Sequence, residues 1–422
     1  MPITAREAAF RSLIKCENAG SYSNLEIDSK INKYGLEGAE RALYTVLVYG
    51  VIERRIALDL RLKPLVNGGF ERLDDVVKVI LRIGAYQILH LDRVPDSAAV
   101  DEAVKTARRH APAGAHNLVN AVLRSLCRTL NDPPELPDDP VLRLEATYSI
   151  PRGIIELWIG SYGAENAKKI LDGLDARSRD VTVRVNTLKT TRDELARTMG
   201  GVPFDDLPDA IAVDCDPDAL RTALESGLCY VQDISSQRAV QMLDPRSGDT
   251  VADVCCCPGG KSFACALAMR NVGEIRAFDL HANKLSLVER TASRLGITII
   301  ATAPRDAREP DPALVGRCDR VVCDVPCSGL GVIAKKPEIR YKPLGDIARL
   351  PQLQYDILRA SASYLKVGGR LLYSTCTLNR AENEEVVARF LSENSAFSLC
   401  DERTFFPDRL ADGFYAAVLC IS

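Results

Sequence analysis

The sequence predicts a multi-domain protein: an all-α N-terminal domain, a small α/β middle subdomain and a C-terminal α/β domain built on a doubly wound, mostly parallel sheet. Three observations predict it. Apolar residues recur at three- and four-residue intervals through the first 130 positions. A proline- and acid-rich stretch interrupts the chain at 131–140. From about residue 236, short β-rich runs alternate with helical ones. A chain of 422 residues, 46% hydrophobic and 26% charged, has room for two or three domains at roughly 100–200 residues each.

Residues 1–130 read as helices. Thr4 opens a capping box with Glu7 ahead of an apolar run. The segments RALYTVLVYGVIERRIALDLRL, VVKVILRIGAYQILHL and AHNLVNAVLRSLCRTL carry the helical period. This part holds about 19 basic against 15 acidic side chains in a chain of net charge -3, which makes it the surface suited to a polyanion. NDPPELPDDP, residues 131–140, packs four prolines and four acids into ten positions and reads as a linker. In 141–235, the helical PRGIIELWIGSYGAENAKKILDGL precedes VTVRVNTL, which alternates with period two, then IAVDC and LCYVQ. Trp158 there is expected to anchor packing. Residues 236–422 run TVADV, EIRAFDL, ITIIATA, RVVCDV and RLLYST as strands between helical stretches, with GFYAAVL as a candidate last strand.

The net charge excludes a wholly basic nucleic-acid coat. No stretch approaches the roughly 18 apolar residues of a membrane span, so no membrane association is expected. The N-terminus is charged within six residues and reads as no secretory signal, so a cytoplasmic, reducing location is expected. The 14 cysteines are not spaced as a disulfide framework. Cys265, Cys318, Cys323 and Cys400 are expected to be buried structural thiols. Cys255, Cys256, Cys257 and Cys323 lack a paired CxxC spacing, so no metal site is expected.

TVADVCCCPGGKS is a strand, a glycine turn and a helix start. Such a turn at the carboxyl end of a strand is where open α/β sheets bind ligands. Gly259 and Gly260 allow close backbone approach, and the helix start offers free N–H groups. Asp279, at the end of the next strand, suits the two hydroxyls of a ribose. His281, directly beyond it, reads as an exposed loop residue. Neither G-x-G-x-x-G nor GxxxxGK[ST] is present. A nucleoside ligand therefore fits better than a pyrophosphate, and S-adenosylmethionine is the candidate.

RVVCDVPCSGLG and RLLYSTCTLNRAENE each place a thiol, Cys327 and Cys376, at the end of a strand on the same rim. Methyl transfer to carbon 5 of cytosine needs a sulfur adding at carbon 6, because the aromatic ring leaves carbon 5 a poor nucleophile. It also needs an acid beside the base, here Asp324, and a methyl donor. The target base must be flipped out or single-stranded to be reached. Spacing alone leaves open which cysteine is the nucleophile.

CCCPGGK, DVPCSGLG and STCTLNRAENEE resemble the motifs of the RNA 5-methylcytosine methyltransferases. ILRIGAYQILHLDRVPDSAAVDEAVKTARRHAPAGAHNLVNAVLRSL resembles a NusB-type RNA-binding domain. The combination, from about residue 4 to 420, is similar to the RsmB (Sun, Fmu) family, the ribosomal RNA small subunit methyltransferase B type. The resemblance implies a Rossmann-like S-adenosylmethionine-dependent domain at 236–422 and a 16S ribosomal RNA substrate, with tRNA or another RNA as the alternative. It implies cofactor contacts from Cys255, Cys256, Cys257, Pro258, Gly259, Gly260 and Lys261. Asp279 would bind the ribose, Asp306 would lie near the adenine, and Asp324 would sit between cofactor and cytosine. Cys376 would be the nucleophile, and Cys327 would help release the product. Cys256 and Cys257 replace the family's usual alanines, Ser262 its threonine, and Tyr341 a common tryptophan. Lys335, Lys336 and Arg340, and Arg108 and Arg109 in the helical domain, are candidate phosphate contacts or solvated surface. An RNA-binding assembly factor with a vestigial catalytic domain is the non-enzyme alternative. Intact Asp324, Cys327 and Cys376 argue against it.

Overall fold

The structure, a computed structural model, describes residues 3–19, 24–132, 134–178 and 180–421. Pro133 of the expected linker lies outside them. The chain divides into two compact units, one of residues 1–160 with 333–343, the other of 161–332 with 344–422.

The first unit is helical. It contains α1 (Ala5–Ala19), α2 (Asn24–Tyr34), α3 (Gly38–Glu53), α4 (Arg55–Leu62), α5 (Asp75–His90), α6 (Asp96–His110), α7 (Ala115–Arg128), α8 (Pro140–Tyr148) and the first part of α9 (Arg152–Asp175). Thr4 Oγ1 accepts from Glu7 N, half of the expected capping box. The Glu7 carboxylate bonds His110 instead of reaching back. Asp74 and Asp139 cap α5 and α8, each accepting from backbone N–H groups of the first turn. The periodic apolar positions converge on a core that includes Tyr44, Leu47, Leu58, Ile80, Leu81, Val119 and Leu123. Trp158 is fully buried, as expected of a packing anchor.

Ile333–Pro343 is built into this unit although it lies far along the chain. Within it Arg340 is 4% exposed. Its guanidinium donates to the carbonyls of Glu53, at 2.7 Å, and Ser149, at 3.1 Å. This corrects the expectation of a phosphate contact. An arginine whose N–H groups are already bound to backbone carbonyls in the interior has nothing to offer a phosphate.

The second unit carries two sheets. β1 (Val181–Val185), β2 (Val202–Pro203), β3 (Ala210–Val213) and β4 (Cys229–Val231) form an antiparallel sheet in the order β2-β3-β1-β4. The larger sheet contains β5 (Thr250–Asp253), β6 (Glu274–Asp279), β7 (Ile300–Pro304), β8 (Cys318–Asp324), β9 (Leu365–Thr375), β10 (Phe397–Phe405) and β11 (Phe414–Ile421). Its order is β10-β11-β9-β8-β5-β6-β7. β5 to β9 pair in parallel, and β11 and β10 close the edge antiparallel. Val251 and Ala252, adjacent on β5, belong to separate buried clusters. That alternation is what a sheet covered on both faces produces. The GFYAAVL strand is present as β11. Its partner β10 escaped the sequence reading because its side chains are mostly polar and exposed.

Cys265, Cys318 and Cys323 are buried free thiols. Cys400, expected to be another, is instead exposed on β10 and disulfide-bonded to Cys420 of β11, with Cα atoms 6.1 Å apart. The pairing of β10 with β11 brings the two cysteines within the Cα distance that a disulfide needs, Cys400 sitting at the register shift between Leu399 and Asp401.

The chain leaves β5 toward β6 on one side and returns to β8 on the other. The crevice beyond the carboxyl ends of β5 and β8 is therefore the topological switch point of the sheet, the usual ligand position in open α/β folds.

Candidate active site

Three strand ends build the site. β5 ends at Asp253 and leads through Cys255–Pro258 to Gly259, which holds φ 109°. A Cβ there would stand 2.3 Å from the Phe263 ring, so only glycine permits this turn. α10 (Arg192–Met199) and α11 (Pro217–Glu225) belong to the small sheet. α12 (Ile234–Leu243) precedes β5, and α13 (Gly260–Ala268) starts directly behind the turn. β8 ends at Asp324 and β9 at Thr375, with Asp324 and Ser374 in register. Asp253, Cys255, Cys256, Cys257, Pro258, Gly260, Lys261, Asp324 and Cys376 line one cleft.

Asp324 is fixed from two sides. Lys261 Nζ donates to its Oδ2 and Ser374 Oγ to its Oδ1, each at 2.7 Å. Charge-assisted bonds of this length hold a carboxylate firmly. Behind them Asp253 is buried. Ser262 Oγ donates to its Oδ2 at 2.6 Å, while Oδ1 has no protein partner. Burial, with the Asp324 charge adding to it, pushes the Asp253 carboxyl up to about 7.

Cys327 and Cys376 meet with their sulfurs 3.4 Å apart. Cys376 is half-buried and faces the cleft. The hydrogen bond with Cys376, followed by burial, pushes the Cys327 thiol well above the ordinary thiol range, so Cys327 keeps its proton. Burial also pushes up Cys255, Cys256 and Cys257, the last to about 11. These three are poor thiolates.

Asp279 ends β6 beside Cys257 and accepts from His281 N at 2.9 Å. His281 is an exposed loop residue, as read from the sequence. Asp306 follows β7. Arg308 grips its carboxylate with two nitrogens, and that pairing holds it down to about 2. The structure thus brings the glycine loop, Asp324, Cys327 and Cys376 together. It sets Asp279 at the flank and Asp306 one strand further on. Lys335, Lys336, Arg108 and Arg109 are exposed and belong to the first unit.

The sequence reading passed over Asp253, Ser374, Gln232, Asp233, Asp412 and Phe414, all of which line the cleft or touch its carboxylates. A signal existed for two of them. Asp253 and Ser374 stand where β5 and β9 run out onto the rim.

Among the described residues, no group of His, Cys, Asp or Glu side chains is arranged to hold a metal ion. Nor is any helix long and apolar enough to cross a membrane. Residues 240–420 match the family model described as 16S rRNA methyltransferase RsmB/F, and residues 3–128 match the NusB family. The chain is 39% identical over 401 residues to the Bacillus subtilis (strain 168) protein named probable ribosomal RNA small subunit methyltransferase B, covering 93% of this chain and 89% of that one. It is 30% identical to the ribosomal RNA small subunit methyltransferase B of Vibrio vulnificus (strain YJ016), over 90% of this chain and 91% of that one. The crystal structure of PH0851 matches 100% of this chain and 99% of its own at TM-score 0.80 and 26% identity. A methyltransferase homolog from Pyrococcus horikoshii matches 67% of this chain and 99% of its own at TM-score 0.59 and 25% identity.

Proposed function

Since this chain belongs to the ribosomal RNA small subunit methyltransferase B family, with an N-terminal NusB domain, and is an RNA methyltransferase, we propose that it methylates carbon 5 of a cytosine in 16S ribosomal RNA through a covalent bond to Cys376. S-adenosylmethionine is the proposed donor, and the cytoplasm is the proposed location. The observation that carries the reading is the pair of sulfurs 3.4 Å apart beside the doubly anchored Asp324.

The cleft suits S-adenosylmethionine. Gly260 lines the cleft with no side chain to fill it, the start of α13 there offers N–H groups, and the free Oδ1 of Asp253 is a buried acceptor facing the same space. Cys255–Lys261 would hold it, with Asp279 at its ribose and Asp306 toward its adenine. When bound, it supplies an electrophilic methyl group on a sulfonium sulfur.

The chain's own residues do the rest. Cys327, still protonated, offers its S–H to the Cys376 sulfur and so favours the Cys376 thiolate. That thiolate adds to carbon 6, breaking the aromaticity and making carbon 5 enamine-like. Asp324, oriented by Lys261 and Ser374, would contact the pyrimidine at ring nitrogen 3, and a proton carried there by the acid neutralises the negative charge that the addition places on the ring. After methylation, a base takes the carbon 5 proton, its electron pair re-forms the double bond between carbons 5 and 6, and the Cys376 thiolate leaves, with the Cys327 S–H donating to the departing sulfur. The helical domain, through surface such as Arg108, Arg109, Lys335 and Lys336, would contribute RNA affinity through phosphates.

The test is methylation of purified 16S ribosomal RNA in vitro, followed by nucleotide-resolution mapping. A single 5-methylcytosine in 16S RNA is expected. Methylation of tRNA with none of 16S RNA would overturn the substrate, and transfer to another atom would overturn the chemistry.

A further inference from the structure

Beneath the two thiols lies a buried carboxylate that the reaction scheme leaves unused. Glu382 is 0% exposed. An unpaired charge in that position would be strongly disfavoured. Its carboxylate instead accepts four hydrogen bonds. Ser328 N and Gln354 Nε2 donate to Oε2, each at 2.9 Å. Ser328 Oγ donates to Oε1 at 2.5 Å and Asn379 Nδ2 at 2.9 Å.

The donors share a pattern. Ser328 follows Cys327, and Gln354 also donates to the carbonyl of Pro326, which precedes it. Asn379 belongs to the loop that begins at Cys376. Between the loops, Ser328 Oγ and Thr377 Oγ1 lie 2.6 Å apart. Leu330 N donates to Thr377 Oγ1, and Gly331 N to the Cys376 carbonyl. One anion therefore ties together the residues on both sides of Cys327 and the turn that carries Cys376. Every contact treats the carboxylate as an acceptor, which an amide could satisfy only in part.

We infer that Glu382 is a positioning residue, whose buried carboxylate clamps the Cys327 loop to the Cys376 loop and so sets the sulfur spacing needed to form and resolve the cytosine adduct. The inference rests on the proposed role of the two cysteines. The Glu382 charge also helps keep Cys327 protonated, in line with its role as donor to Cys376.

The test uses the full-length protein and 16S RNA, comparing Glu382→Gln with wild type. Because misplacement of reacting groups by about 1 Å costs on the order of 100-fold, kcat is expected to fall about 10- to 100-fold. KM for RNA and S-adenosylmethionine affinity should stay within about twofold, since Glu382 is fully buried and does not line the cleft. In a Cys327→Ser background, the rate of adduct formation should fall by the same factor, scored per adduct-competent site so that loss of folded protein does not count. Ser328→Ala, which removes one donor and the bridge to Thr377, gives a milder form if Glu382→Gln folds poorly. It should lower kcat by a smaller factor along the same split. Unchanged kcat and adduct rate per site in both variants would overturn the clamp, as would a loss confined to KM. An absence of adduct in the Cys327→Ser parent would instead overturn the cysteine chemistry itself, so the two failures are told apart.

Discussion

Two groups of cysteines share the carboxyl rim of the large sheet, beyond β5, β8 and β9, and their surroundings divide them. Cys255, Cys256 and Cys257 form the wall of the glycine turn, and burial pushes every one of them up. Cys327 and Cys376 sit one and two strands away. They face each other across 3.4 Å above hydroxyls, amides and a buried carboxylate. The thiol group is the same in both, so reactivity is set by what surrounds the sulfur. The first group shapes a pocket; the second is placed to react. Substitutions that remove sulfur from one group and then the other test this division.

The largest effect is expected from Cys376→Ser. A hydroxyl cannot replace a thiolate as nucleophile at carbon 6, so methyl transfer should drop by on the order of 10⁴-fold or more. S-adenosylmethionine affinity, measured by calorimetry, should be unchanged. Substantial residual turnover would break the comparison at its centre.

Cys327→Ser comes next. The nucleophile is intact and release is impaired, so turnover should fall on the order of 100-fold, within the range for losing an assisting proton-transfer group. A covalent protein–RNA adduct should accumulate as a slow band on a denaturing gel. An adduct seen with Cys376→Ser and not with Cys327→Ser would exchange the two roles.

Asp279→Ala probes the pocket from beside Cys257. Losing a charged acceptor for the ribose hydroxyls should weaken S-adenosylmethionine about 10- to 100-fold, with a much smaller effect on RNA binding. Equal loss of both affinities would contradict a ribose contact.

Asp253 gives a pH signature to the buried side of the same pocket. Its carboxyl is raised to about 7 by burial, so between roughly pH 4 and 7 the folded chain holds a proton that the unfolded chain has released. Its contribution to stability is full below the unfolded value and is lost as pH rises through about 7, by on the order of a few kcal/mol. Asp253→Asn should flatten that decline in ligand-free protein, as read by denaturant melts at pH 5 and pH 8. An unchanged slope would show that the carboxyl ionises without penalty.

Legibility in the sequence followed the physics of each element. β5, β6, β8 and β9 were readable because buried parallel strands are continuous apolar runs ending in turn residues. The acids and thiols at their ends then mark the rim. β10 was not, because an edge strand with exposed polar side chains carries no such run. Arg340 was misread because a run of basic residues carries charge in the sequence but not direction. Lys335 and Lys336 point outward, while the turn that begins at Pro337 carries Arg340 inward to the carbonyls of Glu53 and Ser149. Nothing in the local sequence sets Glu382 apart from Glu384 and Glu385 beside it. Its four donors come from positions 3 to 54 residues away, and no local pattern encodes that convergence. The site's chemistry was thus legible in its motifs, and its supporting contacts were not.

The smallest effect is expected where sulfur is most concentrated. Cys256→Ala and Cys257→Ala remove thiols that line the cleft without a catalytic partner among Asp324, Cys327 and Cys376. The backbone turn that presents Gly259 and Gly260 does not depend on those side chains. Each variant should keep its methylation rate within about twofold. The buried Cys256 should cost on the order of 1 kcal/mol of stability for its lost packing, and the more open Cys257 less. Methylation rates together with thermal melts give both numbers from one preparation. A rate loss near that of Cys327→Ser in either variant would mean that the pocket wall takes part in the chemistry, and the division between shaping and reacting thiols would fail.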